Sequence, residues 1–186
     1  MECRLRPATR DDEPILWSML FEAAYAAEDG MTHPHELRAV PELARYVEGW
    51  GRPTDLGVVA LPGRPGDDAG PPEHEAGRLG DAAIGAAWAR LLTRERPGYG
   101  YVDDETPEVA IAVAPGRRAG GTGGLLLAGL VAAARPWFPA LCLSVRVGNP
   151  ARRLYERVGF RPVAGGHVPD RGTNGAATST TMVLRF

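Results

Sequence analysis

The stretch that decides the fold is Glu108–Val163, EVAIAVAPGRRAGGTGGLLLAGLVAAARPWFPALCLSVRVGNPARRLYERVGFRPV. Its opening apolar run, Glu108 to Ala114, reads as a buried strand that ends at Pro115. A loop with Arg117, Arg118 and a cluster of glycines leads into an apolar helix over 121–135, stopped by Pro136. From Ala140 to Val147, Leu141, Leu143, Val145 and Val147 alternate with Cys142, Ser144 and Arg146, the period of a half-buried strand. Asn149-Pro150 then opens a helix that runs to Val158 and closes on Gly159, before a further strand at 160–163. The order is strand, helix, strand, helix, strand.

The loop before the first of these helices has the physics of an anion cradle. In Arg118-Ala119-Gly120-Gly121-Thr122-Gly123-Gly124 the glycines let backbone N–H groups approach a ligand without a Cβ in the way. The helix start adds unsatisfied donors and partial positive charge, and Arg117 and Arg118 add full charges suited to phosphate oxygens. A Walker A loop is excluded, because Thr122 stands where its lysine belongs. A dinucleotide fingerprint fails too, since Leu126 occupies the place of its third glycine.

Outside this stretch the signals are weaker. Cys3 to Pro7 reads as a strand, and 11–27 as an amphipathic helix behind an N-cap at Thr9, with Ile15, Leu16, Met19, Leu20 and Ala23 on one face. A second short helix is expected over 41–50, with Leu43, Tyr46 and Val47 on one face. Residues 56–61 form a strand whose antiparallel partner is sought in 81–93. The Pro- and Gly-rich 62–80 and the Gly-rich 165–176 read as connections, and 180–186 as the last strand.

Composition bounds the function. The 186 residues, 44% hydrophobic and 24% charged, suit one globular domain spanning 1–186. All 21 basic residues are arginine, which excludes Schiff-base chemistry by a protein lysine. A net charge of −2 offers no footprint for nucleic acid. The longest uncharged stretch, Ala119 to Ala134, is too short for a membrane span, and the N-terminus lacks the apolar core of a signal peptide, so a cytoplasmic protein without membrane contact is expected. Cys3 and Cys142 have no partner spacing, and the His33/His35 pair lacks a third ligand, so no metal is expected.

Two motifs together are specific. Arg118-Ala119-Gly120-Gly121-Thr122-Gly123 resembles the diphosphate-binding motif Gln/Arg-x-x-Gly-x-Gly/Ala of the GNAT superfamily of N-acetyltransferases. Downstream, Asn149, Tyr155 and Gly159-Phe160 resemble that superfamily's later motif, an asparagine, a tyrosine-bearing helix, then Gly-Phe. The resemblance covers 108–163. It implies an α/β (α+β) domain with a mixed, mostly antiparallel sheet flanked by helices and splayed between the strands at 108–114 and 140–147.

It also implies roles. The backbone of Ile111, Ala112 and Val113 would pair with the pantetheine arm of acetyl-CoA, the co-substrate, beside a bulge that opens the sheet. A free N–H near Val113 would polarise the thioester carbonyl. Arg118, Ala119, Gly120, Gly121, Thr122, Gly123 and Gly124 would bind the diphosphate, with Asn149 and Arg152 also on the cofactor. Tyr155 would be both a cofactor contact and the acid that serves the leaving sulfur. The acceptor would be the amine of a small molecule or peptide, and scaffolds of this kind often form homodimers. An amine mostly protonated at neutral pH needs a base. Where some relatives place a glutamate this chain has Ser144, so Glu108 is the first candidate, followed by Asp104, Glu105 and Glu28. Trp88 and Tyr101 either wall an acceptor pocket or fill the core. The alternative to an enzyme is a sensor or accessory subunit that binds acyl-CoA without catalysis.

Overall fold

A computed structural model describes residues 3–63, 83–118, 120–169 and 178–186. Among them, seven strands form one sheet: β1 (Cys3–Pro7), β2 (Leu56–Pro62), β3 (Gly85–Arg90), β4 (Glu108–Val113), β5 (Ala140–Arg146), β6 (Arg161–Pro169) and β7 (Thr178–Arg185). Their order is β1-β2-β3-β4-β5-β7-β6, and every adjacent pair is antiparallel except β4 and β5, which run parallel. The expected mixed, mostly antiparallel sheet flanked by helices is present.

Period-two alternation assigns the two faces. Val59, Ala86, Trp88, Ala110 and Ala112 pack under α1 (Glu13–Ala23) and α2 (Pro41–Ala44). Ala60, Ala87, Val109, Leu141, Leu143 and Val145 pack against α3 (Thr122–Ala134) and α4 (Arg152–Val158). The strand at 85–90 is the antiparallel partner sought for 56–61, with Leu56 opposite Ala89.

Several boundaries differ from expectation. Asp12 is buried and taken by both guanidinium nitrogens of Arg6 at 2.6 and 2.7 Å, so a 3-10 turn at Arg10–Asp12 precedes α1. α1 stops at Ala23, two residues before Tyr25, whose φ of 55° is left-handed. The helix expected over 41–50 ends at Ala44. Beyond it, Trp88 Nε1 donates to the Tyr46 carbonyl, and the Arg90 guanidinium to those of Arg45, Glu48 and Gly49. α4 starts at Arg152 rather than Pro150, and β6 extends to Pro169, into the expected connection. The rest of the connections, 64–82 and 170–177, lies outside the described residues, as does Ala119.

β4 and β5 are paired only at Glu108 and Cys142, where Cys142 N–H donates to the Pro107 carbonyl at 3.0 Å. Past that point they splay. The expected bulge in β4 is not there: its register against β3 runs unbroken from Arg90–Glu108 to Gly85–Val113. Gly100, on the loop before β4, lies against the β5 backbone. A Cβ on Gly100 would come within 2.5 Å of the Leu143 carbonyl carbon and 2.7 Å of Ser144 N.

Candidate active site

The splay opens a cleft of about 500 Å³, lined on one side by β4 and on the other by Leu143 to Arg146 of β5. Backbone direction in β4 follows from two hydrogen bonds. The Pro107 carbonyl accepts from β5, and Ala114 N–H donates to Ile84 on the β3 side, 2.9 Å. Since the backbone alternates, Ile111 and Val113 turn their N–H and C=O into the cleft, and Ala112 turns its own toward β3. Of the three residues expected to pair with pantetheine, two therefore present a backbone edge and the third only its side chain.

Between β4 and α3, Gly116 and Gly121 have φ of 78° and 82°, and a Cβ on either would meet nothing within 4 Å. Glycine there serves backbone conformation and leaves open space before α3. Gly123 and Arg118 reach the cleft; Gly120, Thr122 and Gly124 lie along the turn and the first residues of α3 without lining it. The Arg118 guanidinium donates to the Val113 carbonyl at 3.2 Å and to Glu22 at 2.8 Å.

Asn149 also lines the cleft. Its Oδ1 accepts from Ala151 N–H at 2.8 Å, capping the turn before α4, and its Nδ2 donates to Tyr25 Oη at 2.7 Å. One N–H and one lone pair of this amide stay available. Arg146 stacks on the Tyr25 ring at 4.5 Å and pairs with Glu28 at 2.9 Å. Thus the chain after α1 is tied across the mouth to β5 and α4. Arg152 is elsewhere: it pairs with Glu156 along α4, and the structure does not bring it to the cleft.

Tyr155 projects from α4 into the cleft, with its ring edge-on to Phe160 at 6.1 Å. Burial, with a smaller contribution from Tyr25, pushes its hydroxyl well above the usual phenol value, so it stays protonated. Glu108 sits at the closed end, 3% exposed. Burial raises its carboxyl from 4.5 to about 7, against the lowering effect of hydrogen bonds from Tyr46 and Gly100 and of the Arg45 charge. Tyr46 Oη and Gly100 N–H both donate to Oε1 at 2.7 Å.

The other carboxylate candidates are not in the cleft. Asp104 and Glu105 are exposed on the preceding loop, where Asp104 accepts from Tyr101 Oη at 2.8 Å. Glu28 is exposed and held by Arg146. Trp88 fills the core, fully buried. Cys142 is buried against the Thr106 and Pro107 carbonyls, and burial raises its thiol far above the range of a thiolate nucleophile. His33 and His35 are exposed, and among the described residues no three His, Cys, Asp or Glu side chains gather. No described helix is long and apolar enough to cross a membrane.

Sequence reading missed Tyr46, Tyr25 and Tyr99. A signal existed for the first: a hydroxyl on the apolar face with Leu43 and Val47 needs a buried partner, and a glutamate opening an apolar strand needs a donor.

No family model and no curated protein matches the sequence. Solved structures match along the whole chain. A GCN5-related N-acetyltransferase from Kribbella flavida is 21% identical, with 99% of this chain and 98% of that one covered at a TM-score of 0.61. The ribosomal-protein-alanine N-acetyltransferase of Brucella melitensis is 21% identical, with 98% and 99% covered at 0.59. Salmonella typhimurium yncA, solved with its cofactor acetyl-CoA, is 18% identical, with 98% and 93% covered at 0.60. The fold with its parallel, splayed strand pair is that of the GNAT superfamily. This chain has the GNAT fold.

Proposed function

We propose that the protein is an acetyl-CoA-dependent N-acetyltransferase acting on a primary amine by direct attack. One observation carries the reading. The cleft between β4 and β5 brings together a backbone edge at Ile111 and Val113, Arg118 and Gly123 from the connection into α3, a neutral phenol at Tyr155 and a buried carboxyl at Glu108. The strand edges fit an extended pantetheine arm, and the open space at Gly116 and Gly121 before a helix start fits its diphosphate.

Acetyl-CoA supplies an activated acyl group as a thioester. Val113 N–H donates toward the carbonyl oxygen as charge builds there. Glu108 accepts a proton from the amine, whose lone pair costs about 4–5 kcal/mol to free at neutral pH when its pKa is near 10.4. Tyr155 gives its proton toward the leaving sulfur. This transfer is uphill in pKa, so the phenol acts chiefly by stabilising developing thiolate charge. Arg118 and the first amides of α3 hold the diphosphate.

Thiol release from acetyl-CoA across a panel of primary amines tests the reading. Amine-dependent release is expected, rising as pH passes through about 7 while Glu108 ionises. Saturable coenzyme A binding with no release for any amine would instead favour an acyl-CoA-binding sensor.

A further inference from the structure

The Glu108 carboxyl is held asymmetrically. Its Oε1 accepts twice, from Tyr46 Oη and from Gly100 N–H, each at 2.7 Å. Its Oε2 is buried with no hydrogen-bond partner. Tyr46 Oη in turn accepts from Tyr99 N–H at 2.9 Å. A hydroxyl has one hydrogen, so with Tyr99 donating into its lone pair the hydrogen lies toward Glu108. Burial and the Glu108 charge both hold the Tyr46 hydroxyl protonated, so it acts as a donor throughout the working pH range.

We propose that Tyr46 is the positioning residue of this site: it fixes Oε1 of Glu108 and leaves Oε2 as the single oxygen that takes and returns the proton. The proposal rests on the base assigned to Glu108 above. An oxygen that already accepts two hydrogen bonds is the less basic of the pair, so the proton goes to Oε2. Both donors to Oε1 stay in place whether the carboxyl is charged or neutral. The amine nitrogen loses one proton and Oε2 gains one, relayed by water because Oε2 itself is buried beside Gly98, and both hydrogen bonds to Oε1 are kept.

The surroundings are built to hold this arrangement. Trp88 Nε1 donates to the Tyr46 carbonyl at 3.0 Å. Arg90, opposite Glu108 on β3, spends its guanidinium on Asp55 and on the carbonyls of Arg45, Glu48 and Gly49. These contacts fix the turn that carries Tyr46. Gly98 keeps room beside the carboxyl: a Cβ there would run into Oε2 and come within 2.6 Å of Tyr46 Oη. The other ionisable groups around Glu108 are Arg45 on the same turn, Tyr99 on the loop before β4, Cys142 on β5 and Glu22 on α1 at the rim. Arg45 is tied to the Pro97 carbonyl, and the Cys142 thiol stays neutral.

The test reads the Glu108 carboxyl itself by carbon-13 NMR of protein labelled at the glutamate carboxyls, with Glu108→Gln assigning the signal. Tyr46→Phe keeps the ring and removes one donor to the charged form, so the titration midpoint is expected to rise by about one pH unit. 3-Fluorotyrosine placed at position 46 is a stronger donor and is expected to move the midpoint down. A purely structural role for Tyr46 would not produce shifts of opposite sign. An unchanged midpoint in both proteins overturns the proposal. The acid limb of kcat/KM should follow the midpoint in all three proteins. If the midpoint moves and the wild-type rate has no limb there, the positioning by Tyr46 stands and the assignment of Glu108 as base is what fails.

Discussion

Glu108 and Cys142 form the single cross-strand pair at which β4 and β5 meet, and the sheet parts immediately beyond them. The same residue that closes the splay thus supplies the buried carboxyl at its floor. Cys142 backs it from the neighbouring strand as a neutral thiol, held down in reactivity by burial. The position of the base and the geometry of the cleft are one structural fact.

Tyr155→Phe removes the hydroxyl and leaves the ring against Phe160. Turnover is expected to fall about 100-fold with little change in acetyl-CoA affinity, because the lost interaction is made as the sulfur leaves. Steady-state kinetics beside a binding titration separates the two quantities. A variant with wild-type kcat removes Tyr155 from the chemistry.

Glu108 couples the site to stability. Its carboxyl is raised from 4.5 to about 7 on folding, so between those values the folded chain holds a proton that the unfolded chain releases. Stability contributed by the neutral acid is complete below about 4.5 and is lost as pH rises through about 7, on the order of 3 kcal/mol in all. Glu108→Gln lacks that slope. In urea titrations the variant should gain about 3 kcal/mol on the wild type between pH 4.5 and pH 8, and parallel pH profiles for the two proteins would contradict this.

The Arg90–Asp55 pair is fully buried at 2.7 Å, with the two side chains 0% and 1% exposed. Asp55→Ala strands a guanidinium in the core and loosens the turn that carries Tyr46. A loss of about 3–5 kcal/mol is expected in denaturant unfolding. A loss under about 1 kcal/mol would show that the remaining carbonyl partners suffice to hold Arg90.

The core of the fold was legible because its signals are local. An apolar run, a glycine turn, an apolar helix, a period-two strand and an Asn-Pro helix start follow one another within 108–163. The expected splay between β4 and β5 is present, and the two strands run parallel. Boundaries failed where distant side chains took backbone groups. The helix after Pro41 stops short as Trp88 and Arg90 claim its carbonyls, and α1 begins late because Arg6 and Thr9 occupy Asp12. The site was read only in part for the same reason. Tyr46 and Glu108 are 62 positions apart, and Tyr25 and Asn149 are 124 apart, so neither pairing leaves a mark in any short window. Arg152 sat in the right motif, but its Nε–H donates to Glu156 one turn on and its side chain does not line the cleft.

The central claim is that the cleft between β4 and β5 receives a pantetheine-linked diphosphate along the β4 edge. Titrating acetyl-CoA into nitrogen-15-labelled protein and following backbone amides by NMR tests it most directly. The account predicts saturable shifts at Ile111, Val113 and Gly123, larger than those on β1 and β2. Amides at those three positions that do not move at millimolar acetyl-CoA, in protein shown to be folded, would contradict it.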